Sequence, residues 1–252
     1  MMPPGVIPLR PALAATIIAL LTAITPALAQ EAPAMAQDDA CLLFEDFENG
    51  MDNWWIEGGE RVWVEEGRLH IKADPPEGSD APYVATVWCQ TPIEGNVRIE
   101  FDAHVVSSST DVNNINFFMF YSDPSGVPLY DTRADRADAG YAKYHVLNGN
   151  IITFLNEPKA AEATPEGEVP PARIRIRHCP GFELLAETYN YRCQQGETYH
   201  VEIVKQKGFI RFFVDGQYLL GVLDPDPWTS GLIGLRTFRT YLWWDNIRVT
   251  RL

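Results

Sequence analysis

The chain contains 252 residues, of which 46% are hydrophobic, and 34 Asp and Glu residues against 20 Lys and Arg residues give a formal net charge of −14 at pH 7. This negative charge repels the phosphate backbone over most of the surface, which excludes nucleic acid as a predicted partner. We expect partners that are neutral or that meet a local basic patch.

The first 29 residues have the pattern of a signal peptide. Arg10 precedes an apolar run, and Ala27-Leu28-Ala29 offers the small residues of a cleavage site. A transmembrane anchor is the alternative, but Pro26 interrupts the run and no charged stretch follows it. Cys41 lies behind polar residues rather than directly after the run, which does not suit a lipoprotein. We predict a secreted or periplasmic protein.

Residues 30–40 show no apolar period and are predicted to form a disordered leader, followed by one domain over 41–252. No segment of this mature part approaches the roughly 18 apolar residues that a membrane span requires. Its dominant signal is alternation at period two, interrupted by turn residues, which predicts an all-β, two-sheet antiparallel sandwich. The candidate strands are CLLFEDF, ERVWVEEG, RLHIKAD, YVATVWC, NVRIEFDAHVV, NINFFMFYS, KYHVLNG, NIITFLN, RIRIRHC, ELLAETY, YHVEIVKQK, FIRFFVDGQYLLGVL, LIGLRTFR and YLWWDNIRVTRL.

The clearest strand is NVRIEFDAHVV, in which apolar and polar residues alternate strictly. One predicted face carries Val97, Ile99, Phe101, Ala103 and Val105. Two hairpin turns follow later in the chain, at Lys207-Gly208 and at Asp215-Gly216, because glycine tolerates the positive φ that these turns need. The three strands that they join are predicted to form a meander.

Residues 156–172 are rich in Pro, Ala and Glu and lack an apolar period, which predicts a long loop. Such a loop is either a functional rim of the sandwich or a simple insertion.

Four cysteines remain after the predicted leader, in a compartment that permits disulfides. Four cysteines allow three pairings, and we favour Cys179 with Cys193 and Cys41 with Cys89. Free buried thiols are the alternative. The spacings contain no CxxC, so zinc is not predicted.

Three segments resemble concanavalin A-like jelly-roll sandwiches: LLFEDFENGMDNWW with EEGRLHIKAD, YHVEIVKQKGFIRFFVDGQYLL, and SGLIGLRTFRTYLWWDNIRVTRL. Within that superfamily, KYHVLNGNIITFLNEP and ARIRIRHCPGFELLAE are similar to the YesU-like bacterial domain of unknown function. The resemblance implies a jelly roll whose first and last strands lie near each other. It also implies a role beside polysaccharide-degrading systems, as a hydrolase or as a carbohydrate-binding module.

The sequence offers parts for acting on acidic sugars. The E-x-D-x-x-E pattern of sandwich glucanases is absent. Arg173, Arg175 and Arg177 alternate along one predicted strand, and Tyr144 with His145 lies on a predicted neighbour. Guanidinium groups pair with carboxylates, and His or Tyr can remove a proton, so Tyr144, His145, Arg173 and Arg175 are candidate catalytic residues for a lyase. A surface stripe paired with acidic residues is the alternative.

Sugar rings bind to aromatic faces and to polar side chains that hydrogen-bond their hydroxyls. The candidates for substrate binding are Trp55, Trp88, Asn114, Asn116, Arg236 and Trp243. Where two tryptophans are adjacent in the sequence, one ring of the pair is expected to lie in the core. Ordinary surface polarity explains the polar candidates equally well.

Asp46 and Asp245 approach each other if the terminal strands pair, and their oxygens could then hold a structural Ca²⁺. Turn and capping roles explain the same residues. No other cofactor is required.

Two hypotheses therefore stand. In the first, the domain cleaves a polysaccharide or oligosaccharide, uronate-containing by preference, as a glycoside hydrolase or polysaccharide lyase. In the second, it is a non-catalytic carbohydrate-binding module, in which the tryptophans dominate. In both, we expect a monomer whose partner is a carbohydrate.

Overall fold

The computed structural model describes residues 40–156 and 172–252, which fold as two antiparallel sheets. The predicted signal peptide over 1–29 and the leader up to residue 39 lie outside the described residues. The predicted loop does too, except for Asn156 and Ala172, which end one strand and begin the next.

Each sheet contains eight strands of the described chain. Sheet I has the order β14 (Gln217–Leu223), β13 (Phe209–Val214), β12 (Thr198–Gln206), β7 (Val97–Ser107), β16 (Tyr241–Arg251), β4 (Arg68–Lys72) and β3 (Arg61–Glu65), and β1 (Cys41–Glu45) also pairs with β16. Sheet II has the order β11 (Glu183–Thr188), β10 (Ala172–Cys179), β9 (Asn148–Asn156), β8 (Ile115–Ser122), β15 (Ser230–Phe238), β5 (Val84–Cys89) and β2 (Trp54–Gly58), and β6 (Ile93–Glu94) pairs with β15. Two short 3₁₀ helices are Arg133–Arg136 and Tyr141–Tyr144.

The core lies between the sheets and follows the predicted alternation. The five apolar residues of the predicted inner face of β7 are fully buried, while Arg98, Glu100, Asp102 and His104 remain partly accessible. Phe101 crosses the sandwich to stack on Phe117 of sheet II, with ring centroids 5.3 Å apart. Burying a side chain of this size contributes about 1.5–3 kcal/mol. The all-β, two-sheet jelly-roll prediction is confirmed.

Both predicted hairpins are present. Lys207 and Gly208 have φ of 51° and 81°, and Asp215 and Gly216 have φ of 50° and 74°, the left-handed pair that two-residue turns require. The turns join β12, β13 and β14 into the predicted meander. The first and last strands are also neighbours, since β1 pairs with β16.

The strand predicted for KYHVLNG is wrong. Tyr144 ends a 3₁₀ helix, His145 caps it, and β9 begins only at Asn148. Tyr144 and Leu147 are both buried, a spacing of three residues that matches a helical turn rather than a strand. The pattern was too short to distinguish the two periods.

The predicted disulfides are also wrong, because all four cysteines are free thiols. At one end of β10, Cys179 pairs with Gly149. At the other end, the Asn156 side chain forms hydrogen bonds with the backbone of Cys193. Seven residues of strand, or roughly 20 Å, separate the two ends, and a disulfide requires Cα atoms within about 7 Å. Cys89 lies in the core, whereas Cys41 is exposed.

Within residues 40–156 and 172–252, no helix is long and apolar enough to cross a membrane.

Candidate functional site

The outer face of sheet II is divided into a covered half and an open half. Residues 123–147, which join β8 to β9 and are called the β8–β9 connection, fold over the covered half. A second apolar cluster lies beneath the connection, separate from the core between the sheets, and it contains Trp55, Trp88, Phe118, Tyr121, Leu129, Tyr144, Leu147, Ile151 and Cys179.

A buried carboxylate holds the covered half together. The Glu57 carboxylate accepts hydrogen bonds from the Tyr144 hydroxyl at 2.7 Å and from the indole N–H groups of Trp88 at 3.0 Å and Trp55 at 3.3 Å. Arg136 Nε lies 3.3 Å from Glu57 Oε1, and both side chains are almost fully buried. Charge pairing and three donors compensate the cost of burying this carboxylate.

Tyr144, Trp55 and Trp88 therefore do not form the predicted sugar site. Tyr144 and Trp88 have no exposed surface, and Trp55 is 7% exposed. Their polar atoms are engaged by Glu57 beneath the β8–β9 connection. The catalytic prediction for Tyr144 and the binding predictions for Trp55 and Trp88 are corrected to structural roles.

The open half contains a cavity of about 560 Å³, within the range of small-ligand sites. We call it the arginine cavity. It is lined by Tyr83, Val84, Val112, Asn114, Asn116, Gly140, Tyr141, Thr153, Leu155, Arg173, Arg175, Arg177, Phe182, Arg236 and Phe238. Five residues predicted from the sequence are brought together here: Asn114, Asn116, Arg173, Arg175 and Arg236.

A row of polar residues, here called the polar row, crosses sheet II at one level. The middle of the row forms part of the cavity floor. From one edge strand to the other the row contains Glu187, Arg175, Thr153, Asn116, Arg236, Thr86 and Glu57, each paired in register with the next. Residues opposite each other on neighbouring strands point to the same face. Its two carboxylates lie at its ends, outside the cavity lining, and its two arginines lie between them.

Specific contacts position Arg236, Arg175 and Arg177 in the lining. Arg236 is 2% exposed and donates to Thr86 Oγ1 at 2.7 Å and to the Ala139 carbonyl at 3.0 Å. Arg175 Nε lies 2.8 Å from Glu187 Oε2. Arg177 donates to the Phe182 carbonyl at 2.8 Å and stacks on the Phe182 ring. Burial lowers the pKa values of Arg236 and Arg177 from their ordinary value, because desolvation penalises the charged form.

Two buried amides of the lining have unused hydrogen-bonding capacity. Asn114 and Asn116 are each 3% exposed, and the side-chain Oδ1 atom of each is buried with no hydrogen-bond partner. A buried polar atom without a partner costs about 1–3 kcal/mol, which a bound ligand with hydroxyl groups would recover.

Tyr141 forms the wall between the two halves. The Arg236 guanidinium lies 4.8 Å from the centre of its ring. Burial raises the pKa of Tyr141, while the charges of Arg236 and Arg177 act in the opposite direction.

His145 lies behind this wall rather than in the cavity lining. Its ring stacks on Phe182 at 3.7 Å and meets the edge of Tyr141 at 4.5 Å. Burial, followed by the charges of Arg236 and Arg177, lowers the pKa of His145 to about 4. The imidazole is therefore neutral at pH 7, and its Nε2 atom is buried without a hydrogen-bond partner.

The other predicted residues lie on sheet I or, for Asp46, directly after its strand β1. Trp243 is on β16, where it stacks on His104 and is covered by Arg68, far from the arginine cavity on the opposite sheet. Asp46 accepts the Glu48 N–H, and Asp245 accepts the Asn246 N–H. Burial raises the pKa of Asp245, and the negative charges of nearby Asp102 and Asp46 raise it further. The described residues contain no group of three or more His, Cys, Asp or Glu arranged to hold a metal ion, and structural calcium stays a prediction.

The sequence analysis does not identify the four aromatic lining residues, Tyr83, Tyr141, Phe182 and Phe238, and it includes Arg177 only as part of the arginine stripe. Arg177 shares the alternation of Arg173 and Arg175 and could have been included on that signal. Tyr141 begins a short 3₁₀ helix and Phe182 lies in a turn, so strand alternation could not identify either residue. Their place in the site depends on how the β8–β9 connection packs.

The solved structures with a similar fold include proteins from Bacillus subtilis. A protein of unknown function with a galectin-like fold matches with a TM-score of 0.70 at 19% identity, covering 86% of this chain and 98% of that chain. The carbohydrate-binding module CBM66 matches with a TM-score of 0.53 at 11% identity, covering 79% and 95%. At these identities, the likeness shows the fold alone.

The sequence comparisons identify the family. The uncharacterized protein YesU of Bacillus subtilis (strain 168) is 21% identical over 214 residues, which are 80% of this chain and 91% of that protein. A family model described as a domain of unknown function, DUF1961, matches residues 44–241. The predicted similarity to YesU-like proteins is confirmed, and the chain belongs to the DUF1961 family.

Proposed function

We propose that the protein binds a carbohydrate that carries carboxylate groups, a uronate-containing oligosaccharide or polysaccharide, in the arginine cavity. The observation that carries this proposal is the composition of the lining. Four arginines converge on one cavity, and none of the described lining residues is Asp or Glu.

The charge of the cavity opposes the charge of the whole protein. The chain has a net charge of −14, so a cluster of arginines without lining carboxylates is a local basic site in an acidic molecule. Guanidinium groups pair with carboxylates through two parallel hydrogen bonds, and the pairing strengthens where water is excluded.

The remaining lining residues suit a sugar. Tyr83, Tyr141, Phe182 and Phe238 offer aromatic faces against which a pyranose ring can pack. Asn114 and Asn116 offer buried amides for its hydroxyl groups. The proposal includes export, because a uronate polymer is an extracellular ligand and residues 1–29 have the pattern of a signal peptide.

The test compares a uronate oligosaccharide with the same oligosaccharide after chemical reduction of its carboxyl groups, by isothermal titration calorimetry on the full-length protein. The acidic form is expected to bind about 10-fold more tightly or better, because each lost charge-assisted hydrogen bond costs about 1.5–3 kcal/mol. Equal affinities for the two forms would contradict the proposal.

A matched pair of variants locates the site. Arg175→Gln removes an arginine that lines the cavity and pairs with a glutamate, Glu187. Arg98→Gln removes an arginine on β7 of the opposite sheet that also pairs with a glutamate, Glu202. Only Arg175→Gln should weaken binding, by about 10-fold. Equal effects of both substitutions would place the ligand elsewhere.

A further inference from the structure

We propose that the protein also cleaves the uronate polymer that it binds, by β-elimination with Tyr141 as the proton-transfer group, and that the residue cleaved is a glucuronate or a mannuronate. This inference rests on the proposed function. The same cavity supplies the binding groups and the reactive groups.

The lining argues against hydrolysis by the usual route. Glycoside hydrolysis needs two carboxyl groups on either side of the scissile bond. None of the described lining residues is Asp or Glu. The nearest carboxylates of the polar row are committed, since Glu57 is buried under the β8–β9 connection and Glu187 pairs with Arg175.

Elimination has different requirements, which the cavity meets. The C5 proton of a uronate becomes acidic when the neighbouring carboxylate is neutralised by cations, and a base must lie within reach of that proton. The Arg236 guanidinium lies 4.8 Å from the centre of the Tyr141 ring, and the charges of Arg236 and Arg177 both lower the pKa of the Tyr141 hydroxyl. The Asn116 side chain, which also lines the cavity, lowers the pKa of the same hydroxyl, as the two charges do.

The step balances without water or a further reactant. The Tyr141 phenolate takes the proton from C5, and the electron pair forms the C4–C5 double bond. The bond from C4 to the glycosidic oxygen then breaks, and that oxygen receives the proton back from the Tyr141 phenol. One fragment ends in an unsaturated uronate, and the other ends in a new reducing sugar.

One proton-transfer group selects the stereochemistry. A single phenol can serve both C5 and the leaving oxygen only if the proton and that oxygen lie on the same side of the sugar ring. D-glucuronate and D-mannuronate have this arrangement. D-galacturonate has the opposite one, which needs two groups on opposite faces.

The ionisation of Tyr141 adds a signature. Burial raises the pKa of Tyr141 from its usual value near 10. Because the phenolate is the base, the rate at saturating substrate should rise with pH from 7 to 9 by up to about 10-fold per unit. The profile separates a proton-transfer role from a purely structural one.

The experiment incubates the full-length protein with polymannuronate, glucuronan and polygalacturonate, and follows the ultraviolet absorbance of the new double bond. Tyr141→Phe removes only the hydroxyl. Tyr218→Phe is the matched control, a phenol on β14 of sheet I that is 53% exposed and lies outside the cavity lining. Tyr141→Phe is expected to lower the elimination rate by about 100-fold or more with little change in dissociation constant, while Tyr218→Phe keeps the rate.

Three outcomes would overturn the inference: the polymers bind but no double bond forms, Tyr141→Phe retains the rate, or polygalacturonate is cleaved in preference to the other two. The first outcome leaves the proposed function standing, as a binding module without catalysis. Absence of binding to all three polymers, measured by calorimetry, contradicts the proposed function itself and the elimination with it.

Discussion

The two halves of the outer face of sheet II share strands but present different side chains. In the covered half, aromatic rings and the Glu57 carboxylate satisfy one another beneath the β8–β9 connection. In the open half, arginines and amides line a cavity, and the Asn114 and Asn116 oxygens have no partner. The hydrogen bonds of Glu57 support the fold, whereas the two amide oxygens without partners support the proposed ligand site.

The polar row allows the two environments to be compared at one level of the sheet, because one carboxylate lies at each end of the row. Glu57 is 1% exposed and holds four partners, whereas Glu187 lies on edge strand β11 and pairs with Arg175. The row thus offers matched substitutions whose effects on stability should differ widely.

The largest effect is expected for Glu57→Ala. The substitution leaves the buried Arg136 cation unpaired and removes the acceptor of three donors, which should lower the free energy of unfolding by about 3–5 kcal/mol. Glu187→Ala breaks a partly exposed pair and should cost about 1 kcal/mol or less. Urea unfolding of both variants measures the difference, and equal losses would refute the contrast between the two halves.

A smaller effect is expected where the backbone meets the covered aromatics. A Cβ atom on Gly234 would lie 2.7 Å from the Trp88 ring, so Gly234→Ala must displace a fully buried indole. Overpacking of this kind costs about 1–3 kcal/mol, and thermal unfolding should show a fall in Tm of several degrees.

Gly140→Ala is the control for that substitution in the open half. A Cβ atom there would meet two movable side chains, the Asp138 carboxylate at 3.2 Å and Lys143 Cδ at 3.5 Å, and Gly140 has an ordinary φ of −56°. We expect a change within about 0.5 kcal/mol. A loss for Gly140→Ala as large as that for Gly234→Ala would mean that the cavity wall is packed as tightly as the covered half.

The regular parts of this fold were predictable because they are encoded locally. The alternation in β7 decided which face is buried, and a glycine at each hairpin decided the turn. Residues that lie opposite each other on neighbouring strands also point to the same face of the sheet. This pairing explains why Asn116, Arg175 and Arg236 lie together on one face.

The division of the outer face was not predictable from the sequence. Trp55 and Trp88 pair on neighbouring strands and point to the outer face of sheet II, but the β8–β9 connection covers them. The covering depends on long-range packing of Leu129, Tyr144 and Leu147, which lie outside the strands. For the same reason the sequence does not distinguish Tyr144 from its neighbour Tyr141 as a site residue.

His145 lies at the border between the two halves and gives the last test. Its pKa of about 4 in the folded protein is below the usual value of 6.5, so the unfolded chain binds a proton more readily. The stabilising contribution of the neutral ring is complete at pH 7 and is lost as the pH falls from about 6.5 to about 4.

Because the imidazole is only partly buried, solvent screening reduces the expected loss to the order of 1 kcal/mol. His145→Phe keeps the stacking on Phe182 but cannot titrate. Urea unfolding at pH 7 and pH 4.5 should therefore show a smaller loss of stability for the variant than for the natural protein. Identical losses would mean that His145 is not held neutral by the packing of Phe182 and the arginines, and that the border between the halves admits water.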